Sequence, residues 1–194
     1  MYSLNPLALS FIINLPALFV ALVVHEYAHG FVAHKLGDNT AKFMGRLTFN
    51  PLAHIDPFGT IILPLMLLLT RSPVVFGYAK PIPVNFHNLA NPRKDMIWVG
   101  LAGPLANFIV AALTFLILLS GFIGHSGISG FLATVMFINL VLGTFNLIPI
   151  PPLDGSRILL GLLPGKLAVL YARITPMHGM IILIILLSML RRVF

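Results

Sequence analysis

His25, Glu26 and His29 stand in the order His-Glu-x-x-His near the end of a long apolar run, and Glu26 is the only glutamate among 194 residues. On a helix, side chains four residues apart lie only about 40° from each other around the axis. The two imidazoles would therefore face one side together and share one Zn²⁺, with the Glu26 carboxylate beside it. Two helix histidines can also simply hydrogen-bond inside a bundle core. An ionisable residue within a membrane-length apolar segment is costly, however, and marks a functional position. Hydrolytic zinc sites take three protein ligands and keep one position open. Asp154 is a candidate for the third ligand, because it follows the proline-broken stretch from Asn146 to Leu153. Broken helices at membrane depth line cavities or lie buried in protein. The same aspartate would equally suit the N-cap of a following helix.

The elements that position these groups must be apolar. Hydrophobic residues make up 58% of the chain and charged residues 9%, with mean hydropathy +0.99. So few charges cannot cover the surface of a water-soluble domain, and an integral membrane protein is expected. The net charge of +7 comes from lysines and arginines scattered through loops and helix ends. That pattern suits orientation in a lipid bilayer and not a nucleic-acid partner. With no cysteine there is neither a disulfide framework nor a thiolate zinc site. The first apolar run lacks a basic start and passes directly into the His-Glu motif. It is therefore expected to be a retained span and not a cleaved leader.

Helical segments are expected at about 7–34, 96–122, 130–148 and 178–190. A short apolar segment lies at 58–70, and an interfacial helix at 155–173 breaks at Pro164-Gly165. Residues 73–85 combine β-branched and aromatic residues with Gly77, Pro81 and Pro83, which favours extended chain. One metal can touch both His29 and Asp154 only if segments 7–34 and 130–148 leave the membrane on the same side. Segment 58–70 and the loop after it must then dip in and return. Under that topology the connections 35–57, 71–95 and 151–175 share one side and carry ten of the twelve lysines and arginines. A full crossing at 58–70 would split them seven against five, so the positive-inside rule favours the dip and puts the motif near the cytoplasmic face. Arg191 and Arg192 run against this trend if the last segment crosses. The expected fold is an all-α polytopic membrane protein with about five transmembrane helices, a short re-entrant helix and a β-like membrane loop. It forms a single domain over 1–194, with a catalytic core at about 7–160 and C-terminal helices at 161–194.

The chain resembles the site-2 protease family of intramembrane zinc metalloproteases. His25-Glu26 with His29, Gly103-Pro104 with Asn107, and Asn146 through Gly155 follow the family's order. Gly37-Asp38, Gly45-Arg46, Asn50-Pro51 with His54 and Asp56-Pro57, and Gly77 through Asn85 are similar to a compact bacterial branch without a PDZ or regulatory domain. The resemblance covers about 17–160. It implies one Zn²⁺ per chain held by His25, His29 and Asp154, with Glu26 as general acid and base. Asn146 would steady the substrate or the tetrahedral intermediate. It also implies a membrane-embedded, hairpin-like loop where residues 73–85 lie, and a membrane-protein substrate with a transmembrane helix. Asn107 is a further candidate near the site, although asparagine also hydrogen-bonds across helices in any bundle. His54 would either sit in an interfacial loop or approach the metal. Two rival functions are a divalent-metal transporter and an inactive scaffold. The first predicts metal-binding residues distributed through repeated halves, and the second predicts loss of Glu26 or a ligand.

Overall fold

Pro6 opens the first helix, α1 (Pro6–Lys35), in a computed structural model that describes residues 6–70, 77–124 and 127–193. A short helix α2 (Thr40–Phe43), a 3₁₀ turn at Pro51–His54 and a π-helical turn at Pro57–Ile62 follow, the last running into α3 (Leu63–Leu69). After the 3₁₀ turn Phe86–Asn88 come the long helices α4 (Pro92–Leu119) and α5 (Gly127–Asn146). The chain closes through α6 (Asp154–Leu162), α7 (Gly165–Tyr171) and α8 (Pro176–Val193). The break between α6 and α7 falls at Leu163-Pro164, where proline removes a backbone donor. Ile13–Lys35 of α1, α4 and α5 are each long and apolar enough to cross a membrane.

Small residues set the packing. Ala17 and Ala21 on α1 and Ala102, Gly103 and Ala111 on α4 are all buried, and α4 packs against α1, α5 and α6. Without long side chains at the contact, backbones approach closely, as helices do in lipid. The large apolar residues turn outward instead: Leu113, Leu116, Leu119 and Phe137 are all more than half exposed. α1 and α4 run antiparallel, since His29 meets the Val99 carbonyl and Ala21 meets Asn107. α4 and α5 are also antiparallel, with Asn107 against Asn139 and Gly143 against Pro104. The exit ends of α1 and α5 therefore share one end of the bundle.

The excursion from 36 to 91 leaves and returns at that same end, because the Ala90 N–H donates to the Leu36 carbonyl at 3.1 Å. Asp38 clamps the closure. Its buried carboxylate accepts from the Thr40 hydroxyl (2.5 Å), the Thr40 N–H (3.1 Å), the Asn88 amide (2.9 Å) and the Asn85 N–H (2.7 Å). Burial pushes the Asp38 carboxyl up, but these donors outweigh it and hold its pKa below the ordinary 3.8. A carboxylate depressed in the folded state stabilises the fold above its unfolded pKa and loses that contribution as pH falls through the folded one. Asp38→Asn is therefore expected to cost about 1–3 kcal/mol at pH 7. The gap in thermal unfolding between the two proteins should start to shrink below about pH 4 and close as pH falls through the folded pKa, since the difference titrates with the carboxylate. A gap that is the same at pH 7 and pH 3 would remove the charge from this account.

Among the described residues there is no strand. Residues 71–76 of the expected β-like loop lie outside them, and residues 77–85 are extended without a ladder. The N–H groups of Tyr78, Lys80 and Ile82 alternate inward, as in a strand, but donate to the Gly59 carbonyl, the His54 carbonyl and Glu26. Pro81 and Pro83 have no N–H to offer on the other edge. Arg46, 8% exposed, secures the same stretch by donating through Nη2 to the Lys80 carbonyl at 2.9 Å. At the other end of the chain, the Tyr171 hydroxyl donates to the Pro149 carbonyl at 2.8 Å. Gly179 of α8 lies so close to Pro151 that a Cβ there would collide with its carbonyl.

Candidate metal centre

α1, α4 and α6 meet at one level of the bundle, and the buried side chains of His25, His29 and Asp154 point together there. The two Nε2 atoms are 3.0 Å apart, and each lies 3.0 Å from Asp154 Oδ2. The backs of both rings are occupied. His29 Nδ1 donates to the Val99 carbonyl at 2.6 Å, and His25 Nδ1 donates to Asn107 Oδ1 at 2.6 Å. Carbonyl oxygens only accept, so each ring carries a proton on Nδ1, and in the neutral ring this leaves the lone pair on Nε2.

Three electron-rich atoms thus converge on one point, and they repel unless positive charge stands between them. Four-coordinate zinc, with bonds of about 2.0–2.1 Å, separates its ligand atoms by about 3.3 Å. The observed triangle needs to open only slightly to match. Gly103 on α4 provides the space: a Cβ there would lie 2.7 Å from His25 Nε2 and would collide with His29 Nε2 as well. The donor set and its cradle fit a zinc ion with three protein ligands. Among the described residues these are the His, Asp and Glu side chains whose ligand atoms cluster within metal-binding reach.

Asp154 occupies the first turn of α6, yet it does not cap it. The cap position is Leu153, which makes no side-chain capping bond. The carboxylate turns into the bundle instead. Gly155 makes this possible, because a Cβ there would collide with the Leu147 carbonyl and prevent α6 from starting so near α5. Arg157 Nη1 lies 3.8 Å from Asp154 Oδ1, which is too long for a hydrogen bond and supplies only a weak attraction.

Glu26 lies beside the two histidines on α1, half-buried, and its Oε2 accepts from the Ile82 N–H at 2.6 Å. The extended stretch 77–85 therefore passes directly over it. Asn107 has no exposed surface, and its amide is used up within the protein: Oδ1 on His25, Nδ2 on the Ala21 carbonyl and on Asn139. Its contact is with the back of a histidine. His54 is buried at 1% exposure, with Nε2 on the Thr48 carbonyl at 2.9 Å, and stands outside the three-residue cluster. Asn146 is half-buried on the last turn of α5 and donates to the Leu142 carbonyl at 3.0 Å. Gly103, Asn139, Arg46 and Ile82 complete the surroundings; three of them fall in the family's motifs, but their contacts here escape a reading of residue types. Asn139 alone of these gave a residue-type signal, as one of two amides, with Asn146, in the apolar segment at 130–148.

The comparisons with known proteins point the same way. The family model described as Peptidase family M50 matches residues 13–125 and 121–188. YwhC of Bacillus subtilis is 44% identical over 157 residues, 76% of this chain and 67% of its own length. Rip2 of Mycolicibacterium smegmatis is 31% identical over 75% of this chain and 55% of its own. Zinc metalloprotease MJ0392 of Methanocaldococcus jannaschii is 31% identical over 77% of this chain. The chain spans about a third of that protein, 34%. All three carry zinc metalloprotease in their names. No solved structure matches the chain. The chain belongs to peptidase family M50, the site-2 protease family, as one of its zinc metalloproteases.

Proposed function

We propose that this protein hydrolyses peptide bonds within or near the transmembrane segments of membrane-protein substrates, using one zinc held by His25, His29 and Asp154. The observation that carries the reading is the convergence of three metal-ligating atoms 3.0 Å apart, with a carboxylate on the same helix turn. Zinc, when bound, supplies Lewis acidity, polarising the scissile carbonyl and acidifying water. The chain's own residues do the rest. Val99 and Asn107 hold the imidazoles in the ligating orientation. The Glu26 carboxylate takes a proton from the attacking water and returns it to the leaving amine nitrogen. Ile82 N–H keeps that carboxylate pointed.

A substrate helix must unwind to be cut, since its carbonyls are bonded within the helix. Stretch 77–85 is extended already and lies over Glu26, so it is suited to receive the unwound segment as an added strand. With Pro81 and Pro83 lacking N–H groups, that pairing relies mainly on carbonyls of the stretch. The chain is a multi-pass protein of the cell membrane with its site towards the cytoplasm and about five crossings, segment 57–70 dipping in and returning. Support comes from the shared end of α1 and α5, the Leu36–Ala90 closure and the charge bias of the connections.

Purified full-length protein is expected to cleave a transmembrane-helix substrate, to lose that activity with a zinc chelator and to recover it with about one equivalent of Zn²⁺. Cleavage that persists in chelator would overturn the reading. The chain has no cysteine, so single cysteines placed in 36–57 and 165–172 also test orientation. Both should react with a membrane-impermeant thiol reagent only from the cytoplasmic side.

A further inference from the structure

His29 and His25 are held in the same tautomer by different means. The acceptor for His29 is the Val99 carbonyl, part of a helix backbone that cannot turn round. The acceptor for His25 is the side-chain amide of Asn107. An amide rotated by 180° presents NH₂ where the oxygen was. Facing NH₂, His25 Nδ1 would have to accept, and its proton would move to Nε2, the atom that needs a free lone pair. Something must fix the amide.

Two contacts fix it. Asn107 Nδ2 donates to the Ala21 carbonyl on α1 at 3.1 Å and to Asn139 Oδ1 on α5 at 2.8 Å. Asn139 is itself a rotatable amide, but its Nδ2 donates to the Val135 carbonyl at 2.8 Å, one turn back on the same helix. That carbonyl only accepts, so Asn139 must keep nitrogen towards Val135 and oxygen towards Asn107. The Val135 carbonyl, acting through Asn139, thus sets the same direction on Asn107 that the Ala21 carbonyl sets directly. Neither asparagine has any exposed surface, so bulk water cannot substitute for either partner. We propose that Asn139 is a positioning residue which, through Asn107, fixes the proton of His25 on Nδ1 and so leaves Nε2 free to bind the metal. The inference rests on the zinc reading above for its consequence, while its central claim concerns the histidine alone.

Asn139→Leu keeps a similar volume and removes the acceptor. Asn139→Asp, protonated in an apolar site, keeps one oxygen to accept and one O–H to donate to Val135. Full-length, metal-free protein labelled with ¹⁵N-histidine, at a pH where imidazole is neutral, reports the tautomer through its nitrogen shifts, with His25→Gln assigning the signal. Wild type and Asn139→Asp should show His25 protonated on Nδ1, and Asn139→Leu should show a mixture or the Nε2–H form. Zinc affinity by chelator competition should fall about 10–100-fold in Asn139→Leu and stay within about threefold of wild type in Asn139→Asp. An unchanged His25 tautomer in Asn139→Leu would sink the proposal, as would equal losses in the two variants, which would make the effect one of packing. Wild type that binds no zinc would instead remove the metal reading, and the nitrogen shifts would still decide the role of Asn139.

Discussion

Glu26→Gln is expected to leave zinc bound and to lower cleavage of a transmembrane substrate by roughly a thousandfold, within the range general acid–base groups contribute. The substitution is discriminating because glutamine retains an oxygen that can accept from the Ile82 N–H, the contact now made at 2.6 Å. Stretch 77–85 should therefore stay in place, and the loss should fall on proton transfer alone. Glu26→Asp makes the opposite change: it keeps a basic carboxylate but shortens its reach by about one methylene, and a misplacement near 1 Å can cost about 100-fold. Turnover with zinc content measured on the same samples separates the cases. Activity in Glu26→Gln within tenfold of wild type would mean that another group carries the proton.

Gly103→Ala is expected to remove zinc from the protein. The added Cβ would lie 2.7 Å from His25 Nε2, in the space between the two imidazoles where the ion belongs. Its neighbours there are rings pinned from behind by Val99 and Asn107, so they cannot swing clear. Zinc affinity should fall by more than about 100-fold, beyond what disturbing a supporting hydrogen bond alone does, and proteolysis should fall with it. Gly100→Ala, one turn earlier on α4, is the control. A Cβ there would sit 3.1 Å from Ile158 Cγ1 and 3.2 Å from the Asp154 carbonyl, tight against α6 but away from the Nε2 atoms. It should alter helix packing and leave most of the zinc affinity. Wild-type zinc affinity in Gly103→Ala would place the ion elsewhere.

The parts of this site that are local in the chain are the parts that can be read from it. His25 and His29 share a helix face because four residues go just past a full turn, and no tertiary information is needed to see it. Asp154 is legible through its prolines, which break the helix ahead of it, although capping and ligation look alike until α6 is placed. Asn107 shows the limit. Its residue type signals a hydrogen bond, but whether it faces substrate or the back of His25 depends on how α4 is rotated against α1. A one-residue difference in that rotation moves a side chain by about 100°. Gly103 reads as a packing glycine and also keeps the metal space open, for the same reason. The extended character of 77–85 follows from Pro81 and Pro83, whereas its anchoring by Glu26, His54 and Arg46 depends on contacts up to 56 residues apart.

His29 and Asp154 are separated by 125 residues. During synthesis, at about 5–20 residues per second, the third ligand follows the second by roughly 6 to 25 s. Throughout that interval the proposed centre lacks its carboxylate and the α5–α6 turn that delivers it. On the proposed assignment, the centre cannot be completed before α6 has been made. A zinc ion bound there would tie the first long helix to the turn after the third, so loss of metal should loosen the assembled helices as well as silence the chemistry.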